Sequence, residues 1–468
     1  MTPRLLASAC IALALATAPH AATLRGQAAQ PDAAAVDRIF AKWTAATPGC
    51  AVGVAVGGKT VLTRAYGMAD LEHDVPNTVD TIFEAGSVAK QFTAMAVLLL
   101  AKDGKLSLDD PARKYVPELP DYGAPLTVRH LLNHTSGLRD WGSLAGIAGA
   151  PRTTREYTHA HVLDIVSRQK ALNFPTGTQW SYTNTGFNLA AVIVSRVSGM
   201  SFAEFSKTRI FAPLGMTRTS WRDDHTRIVK GRAIAYASAS DGYHLDMPFE
   251  NVHGNGGLLT TVGDLLKWNE NFVTPMVGDD ALVTTQMTAG RYNDGRPLEY
   301  GLGLFVHDYR CVRNINHSGS TAGYRAHLNR FPDRHTSVAV LCNVATGDAT
   351  RSANLVSDLY LTGLKPVTPT TPNPPATPMT PPPTAAQLAE FGGSYSSDEA
   401  ELRLVVAVEG GALVLKRRPD TTIALTAIDR DTFRGSIGTI TFMRDNAGKV
   451  TELSIKQDRV WDLRLQRR

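Results

Sequence analysis

The sequence predicts a mixed α/β (α+β) body followed by a small all-β domain, and three observations carry that prediction. A hairpin-like stretch near residue 50 and strand-like stretches between 302 and 344 bracket several helical patterns. One of those helices, from Ser87 to Leu100, is apolar nearly all round, which marks a buried helix. At Pro366 the composition changes abruptly, and beyond it only short strand patterns recur. With 468 residues, 43% hydrophobic and 19% charged, the chain is long enough for two or three domains and has an ordinary globular composition. A net charge of +5 without a basic block implies neither a nucleic acid nor an acidic polymer as partner.

Taken in order, residues 1–21 read as an export signal. Arg4 gives the positive end, Leu5 to Ala16 the apolar run, and the residues up to Ala22 a small-residue region with a cut near Ala21. A membrane anchor would need about 20 apolar residues, so no transmembrane segment is expected and the protein should be periplasmic or extracellular. Of the four cysteines Cys10 lies in this leader; Cys50, Cys311 and Cys342 leave room for at most one disulfide and name no pair. No cysteine or histidine spacing suggests zinc, and neither a metal nor a cofactor is expected.

Val36, Ile39, Phe40 and Trp43 mark an amphipathic first helix. Cys50 to Val56, Gly57-Gly58 and Lys59 to Tyr66 form a β-hairpin pattern with a glycine turn. The buried helix closes at Asp103-Gly104. Leu126 to Leu138 predicts a helix capped by Thr127 and stopped near Gly137, with His130 and His134 on one face. No glutamate follows His130, so the H-E-x-x-H metal motif is absent and His134 is a hydrogen-bonded helix-end residue. Phe187 to Val197 predicts another helix, and Thr261 to Asp264 a capping box opening one more. Leu302 to Ser318, Tyr324 to Phe331 and Thr336 to Val344 are strand-like, and a closing helix holds Leu355, Leu359 and Tyr360. These elements make up a body of residues 22–365.

Residues 366–384 are a Pro/Thr-rich linker. About eighteen residues of polyproline II at ~3.1 Å each span up to ~56 Å, so the body is expected to need few contacts with the C-terminal domain and to work alone. In 385–468, Leu402 to Val408, Ala412 to Lys416, Thr421 to Ile428, Gly438 to Arg444 and Val450 to Ile455 are short strands, with no helical pattern.

The chemistry concentrates at Ser87 and Lys90, three residues apart and so on one helix face. A lysine on a buried helix is costly unless something uses it. Desolvated, it can take a proton from a serine hydroxyl, which is otherwise a poor nucleophile. Two companions come later in fixed order, Tyr182-x-Asn184 and His317-Ser318-Gly319. Singly each has a plain reading: a buried tyrosine with a satisfied hydroxyl, a turn-forming asparagine, a strand histidine. The ordered set is specific.

On these motifs the chain resembles the serine β-lactamase and penicillin-binding superfamily, on its class C, DD-peptidase and esterase side. The likeness runs from about residue 32 to 364 and includes LLNHTSGL at Leu131–Leu138 and GGLLTTVGDLLKW at Gly256–Trp268. It implies a serine β-lactamase/DD-peptidase-like fold: a mainly antiparallel sheet flanked by helices, with a helical lobe beside it. It also implies roles. Ser87 is the acylated nucleophile, Lys90 its activating partner, and Tyr182 a general acid/base whose phenol is acidified by nearby positive charge. Asn184, His317, Ser318, Gly319 and Ser320 bind substrate, with the N–H groups of Ser87 and Ser320 as oxyanion hole.

One departure matters: dedicated β-lactamases of the superfamily usually begin the third motif with lysine, and here it begins with His317. Histidine is mostly neutral at pH 7, so the fixed charge that attracts a β-lactam carboxylate is missing. No G-x-S-x-G elbow occurs, which disfavours an α/β-hydrolase. The sequence therefore predicts an exported serine hydrolase that cleaves an ester, amide or β-lactam in a small-molecule or peptide substrate. A penicillin-binding receptor that acylates without turnover, a dedicated class C-type β-lactamase and a scaffold served by its β domain remain alternatives.

Overall fold

The computed structural model describes residues 33–366 and 382–468. The export-signal reading and most of the linker lie outside the described residues. The body is built on a six-stranded antiparallel sheet. Its strands are β1 (Cys50–Val56), β2 (Lys59–Tyr66), β3 (Phe305–Tyr309), β4 (Val312–Thr321), β5 (Tyr324–Phe331) and β6 (Thr336–Cys342), in spatial order β3-β4-β5-β6-β1-β2. The first hairpin has the predicted bounds.

Side-chain alternation in β1 explains the layering. Cys50, Val52 and Val54 face a cluster with Val36 and Phe40 of helix α1 (Ala33–Phe40) and Ala353 and Val356 of the C-terminal helix Ala349–Tyr360. On the other face Ala51, Gly53 and Ala55 are small. A Cβ on Gly53 would lie 3.1 Å from Leu266, so helix Val262–Glu270 packs directly on the strand there. Cys50 and Cys342, paired across β1 and β6, form a disulfide, which answers the open pairing question.

Helix α2 (Lys90–Lys102) runs through the centre, and Lys90 to Leu100 are all buried. The predicted helix at 126–138 is shorter. Helix α3 (Val128–Leu132) has the expected Thr127 cap, but His134 takes φ 63°, so the chain has left the helix and His130 and His134 do not share its face. Helix α4 (Trp141–Ala148) comes next, and the helix expected from Phe187 begins earlier, at Asn184, as α5 (Asn184–Ser198). At Thr261 the cap is one-sided: its hydroxyl accepts from the Asp264 N–H, while the Asp264 carboxylate is drawn to Thr219, Arg218 N–H and Lys267.

The C-terminal part is a nine-stranded antiparallel near-barrel. Its strands are β7 (Gly393–Ser397), β8 (Leu402–Glu409), β9 (Ala412–Arg417), β10 (Thr421–Ala424), β11 (Thr426–Ala427), β12 (Thr432–Gly435), β13 (Gly438–Arg444), β14 (Val450–Gln457) and β15 (Val460–Arg467). Strands β7, β12 and β15 are not expected from the sequence, nor is the short helix Ala385–Ala389, whose five residues are too few for a periodic signal.

The larger correction concerns docking. Buried Arg139 of the body donates to the Glu399 carboxylate at 2.6 Å and to the Asp462 carbonyl, both in the β domain. Gln169 donates to the Glu399 carbonyl at 3.0 Å, and Glu399 accepts from the Lys170 N–H at 2.7 Å. The side chains of this ion pair are only 1% and 9% exposed, so the docked domains enclose it. A long linker permits independence but does not produce it.

Candidate active site

The turn that carries Ser87 is positioned by two glycines. Gly86 sits at φ 50° just before Ser87, and a Cβ there would lie 2.6 Å from the Ser320 N. A Cβ on Gly319 would lie 2.0 Å from the Ala85 carbonyl oxygen. Only bare backbone fits on both sides, so the turn Gly86–Ala89 and strand β4 meet backbone to backbone. The amides of Ser87 and Ser320 are thereby brought to one place. Ser87 lies in a tight 3₁₀ turn and Lys90 opens α2, a slightly different start from the single helix the spacing predicts.

Lys90 is fully buried, and its Nζ is 3.0 Å from Ser87 Oγ, 3.0 Å from Asn184 Oδ1 and 2.8 Å from the Asn255 carbonyl. Burial first, then the positive charges of Arg459 and Arg152, push its pKa well below the usual lysine value, with Asp140 opposing them. A neutral amine has two hydrogens and one lone pair. The two carbonyl oxygens take the hydrogens, which leaves the lone pair for the Ser87 hydroxyl proton. That is the arrangement a general base for Ser87 requires.

Tyr182 lies beside Ser87 in the cavity wall. Its ring lies under the Lys90 amine and the Arg459 guanidinium, each 4.8 Å from the ring centroid. Burial raises its phenol pKa; the Ser87 contact and Arg459 pull it down without cancelling the rise. The expectation of an acidified phenol is reversed, because desolvation outweighs the nearby positive charge. A raised pKa favours the protonated phenol of Tyr182 beside the Lys90 amine.

His317 is buried, its Nδ1 2.6 Å from the Ser318 carbonyl and its Nε2 3.0 Å from the Tyr300 hydroxyl. Since a carbonyl only accepts, Nδ1 carries the proton and Nε2 accepts from Tyr300. Burial and the Lys90 charge push its pKa down to about 3. The expected neutral histidine is present, held in one tautomer. Ser318 and Ser320 are exposed beside buried Gly319 on strand β4.

Sequence reasoning misses four contributors. Asn255 reads in the sequence only as part of a glycine loop, yet its carbonyl anchors Lys90. His134 packs under Tyr182 at 4.3 Å between ring centroids, and its Nδ1 accepts from the Thr183 N–H at 3.2 Å. Asp140 comes directly after LLNHTSGL and Arg139. Its Oδ2 accepts from the Asn184 N–H at 2.7 Å, while its own N–H donates to the Arg459 carbonyl at 3.2 Å. Arg459 stands in the β14–β15 turn, where nothing in the sequence distinguishes it from an ordinary surface charge. Asn173 Nδ2 also donates to the Arg459 carbonyl, at 3.1 Å, which fixes the turn over the site.

Ser87, Tyr182, Asn184, His317, Ser318, Gly319 and Ser320 line a single cavity of about 620 Å³ that Arg152, Arg325 and Arg459 also line. Lys90 lies beneath it. A sequence model of the Beta-lactamase family matches residues 36–361, most of the chain. The chain belongs to the Beta-lactamase family. Among the relatives of this Beta-lactamase-family chain, penicillin-binding protein 4* of Bacillus subtilis (strain 168) is 29% identical over 306 residues, 62% of this chain and 66% of that protein. The D-aminopeptidase of Brucella anthropi is 30% identical over 309 residues, covering 64% of this chain and 57% of its own length. The matches thus span roughly three fifths of these curated relatives. The octameric penicillin-binding protein homologue from Pyrococcus abyssi superimposes with a TM-score of 0.61 at 25% identity, over 92% of this chain and 98% of that one. That alignment extends past the body into the β domain. Among the described residues no single helix is long and apolar enough to cross a membrane.

Proposed function

We propose that the protein is an exported serine hydrolase that cleaves amide or peptide bonds next to a D-configured residue through an acyl-Ser87 intermediate. The observation that carries the reading is the buried Lys90 amine, its pKa lowered well below the usual lysine value by that burial, 3.0 Å from Ser87 Oγ. Lys90 takes the hydroxyl proton as Oγ attacks the carbonyl carbon, and the N–H groups of Ser87 and Ser320 hold the oxyanion. Tyr182 passes a proton to the leaving nitrogen, and Lys90 recharges it. Asn184 orients the amine and the acyl side. Water then repeats the attack on the ester and frees Ser87.

The D-preference is supported by the D-aminopeptidases among the relatives, at about 30% identity. The end of the substrate is read from charge. Arg152 in the cavity wall is neutralised by Glu250, but Arg459 and Arg325 have no carboxylate partner among the described residues, and the one acidic lining residue, Asp348, caps a helix. Such a wall favours a substrate with a free carboxylate near the scissile bond over one with a free ammonium group. Export is part of the same reading, since the Cys50–Cys342 disulfide suits an oxidising compartment.

The test is intact mass spectrometry with four probes: an activated short-chain ester, an acetylated D-Ala-D-Ala peptide, its L-Ala-L-Ala counterpart and a penicillin. A transient adduct on Ser87 with the D-peptide and the ester is expected, and none with the L-peptide. A stable penicillin adduct without turnover of any other probe would instead identify a receptor. No adduct with any probe, or equal turnover of both peptides, would refute the proposal.

A further inference from the structure

Arg459 walls two cavities, not one. Beyond it lies a groove of about 480 Å³ between Ser143, in the first turn of α4, and the β domain, lined by Arg434, Gly435, Ser436, Gly438, Lys456 and Asp458 among others. Its walls are fixed. Gln457 Nε2 donates to the Ile437 carbonyl at 2.7 Å, tying the β12–β13 and β14–β15 turns together. A Cβ on Gly438 would lie 2.3 Å from the Lys456 carbonyl oxygen, so the two hairpins touch through bare backbone. Across the groove Ser181 Oγ donates to the Asp458 carbonyl at 3.4 Å, and Asp140 caps Ser143 at 2.9 Å.

The charge of this groove is what singles it out. Arg434, Lys456 and Arg459 form no salt bridge among the described residues, although most arginines around the domain junction do: Arg139 with Glu399, Arg152 with Glu250, Arg168 with Asp164 and Glu401, and Arg464 with Glu452 and Asp462. Three cations without a salt bridge line the groove with one carboxylate, Asp458, and one of the three, Arg459, also lies over the Tyr182 ring at 4.8 Å. In the proposed reaction Tyr182 hands its proton to the leaving atom, and Arg459, stacked on its ring, is the residue that the groove shares with the reaction cavity.

We infer that this groove is an extended leaving-group subsite for an acidic peptide, with Arg434 and Lys456 attracting carboxylates of residues beyond the one that departs next to Arg459. The inference rests on the hydrolase reading above and widens its substrate class: besides a peptide whose free carboxylate follows directly on the scissile bond, one that continues past that bond and carries acidic side chains there. Exposed charge pairs are individually weak and salt-screened, so two of them together give about a three- to tenfold preference at low ionic strength.

The experiment uses the full chain and the peptides acetyl-D-Ala–D-Ala-Glu-Glu and acetyl-D-Ala–D-Ala-Gln-Gln, cleaved between the alanines, at low salt and at about 0.5 M salt, where exposed pairs are screened. Acyl-side counterparts, acetyl-Glu-Glu-D-Ala–D-Ala and acetyl-Gln-Gln-D-Ala–D-Ala, serve as controls. An activated short-chain ester counts active enzyme in every preparation. The expected result is a roughly three- to tenfold higher kcat/KM for the glutamate member of the leaving-side pair only. That preference should vanish at high salt and in the Arg434→Ala/Lys456→Ala variant. Equal rates within the leaving-side pair, a preference on the acyl side instead, a preference that survives the double substitution, or no cleavage of extended peptides by enzyme that reacts with the ester would each overturn it. Failure with the ester as well would count against the hydrolase reading itself.

Discussion

Replacing Arg459 by alanine separates what its guanidinium does from what its backbone does. The turn is held by the Arg459 carbonyl, which accepts from Asp140 N–H at 3.2 Å and Asn173 Nδ2 at 3.1 Å, and both bonds survive the substitution. The β domain therefore stays docked while a cation leaves the cavity. A charge-assisted hydrogen bond to a substrate carboxylate contributes about 1.5–3 kcal/mol, or roughly ten- to 150-fold in kcat/KM. An activated ester without a carboxylate loses none of that. It feels only the effect on Lys90 and Tyr182, whose pKa values Arg459 helps to depress.

The sign of that second effect is fixed. With Arg459 gone, Arg152 still lowers and Asp140 still raises the Lys90 pKa, so the net value moves up. Lys90 must be neutral to accept the Ser87 proton, so the acid limb of the rate profile moves to higher pH. The assay is kcat/KM from about pH 5 to 9 for acetyl-D-Ala-D-Ala, for its C-terminal amide and for the ester, in both proteins. Arg459→Ala should cost the carboxylate substrate at least about tenfold more than the amide and shift the acid limb upward for all three. Equal losses on acid and amide would refute the carboxylate role, and an unmoved limb would refute the electrostatic link to Lys90.

Ser87→Ala should lower ester turnover at least ~10³-fold with the fold intact, and Lys90→Ala should come close to it; near-normal turnover in either would displace the nucleophile or its base. A chain ending near Leu364 loses Arg459 and the Glu399 and Asp462 partners of Arg139, so its acylation rate should fall at least about tenfold, and undiminished acylation would show the β domain to be dispensable. The wild-type protein should prefer an activated short-chain ester to a cephalosporin, because neutral His317 offers the β-lactam carboxylate no fixed charge; a roughly tenfold preference for the cephalosporin would contradict this. With the His317 pKa at about 3, substitution of Tyr300 by phenylalanine should leave no new ionisation in the rate profile near neutral pH.

What the sequence makes legible depends on how locally each feature is encoded. The β1–β2 hairpin, the buried α2 and the Ser87–Lys90 pair depend on neighbours within a turn or two, and all are readable from spacing. The helix at 126–138 is overextended in the sequence reading because its apolar pattern continues past the point where His134 turns left-handed, and nothing in LLNHTSGL announces that turn. Helix α5 starts three residues early because Thr183 caps it by accepting from the Thr185 N–H, a local signal overshadowed by the Tyr182 motif beside it. Strand β15 lacks a clean alternation, with Trp461 and Arg464 on a half-buried face. Arg459, Glu399 and Asp140 are invisible for a different reason. Their meaning lies in pairings between distant parts of the chain, such as the 260 residues that separate Arg139 from Glu399, and one sequence carries no record of such pairings.

The placement of positive charge ties these observations together. Lys90 works only while its amine is neutral, and every further cation packed into its buried pocket makes that easier but costs stability. A lysine at position 317 would be buried as completely as His317 is, beside Tyr300 and above Lys90, where its own charge would be hard to keep. The protein instead holds a neutral tautomer there and brings its cation in from the β domain, on a turn that is only partly buried. Arg459 can then stay charged against solvent, face the cavity and lower the proton affinity of Lys90 and Tyr182 together. The same turn is held by the N–H of Asp140, whose carboxylate fixes the Asn184 backbone, and the Asn184 side chain holds Lys90. Substrate charge, base strength and base position thus all depend on one docked hairpin. On this arrangement, separating the β domain should change the pH dependence of acylation as well as its rate.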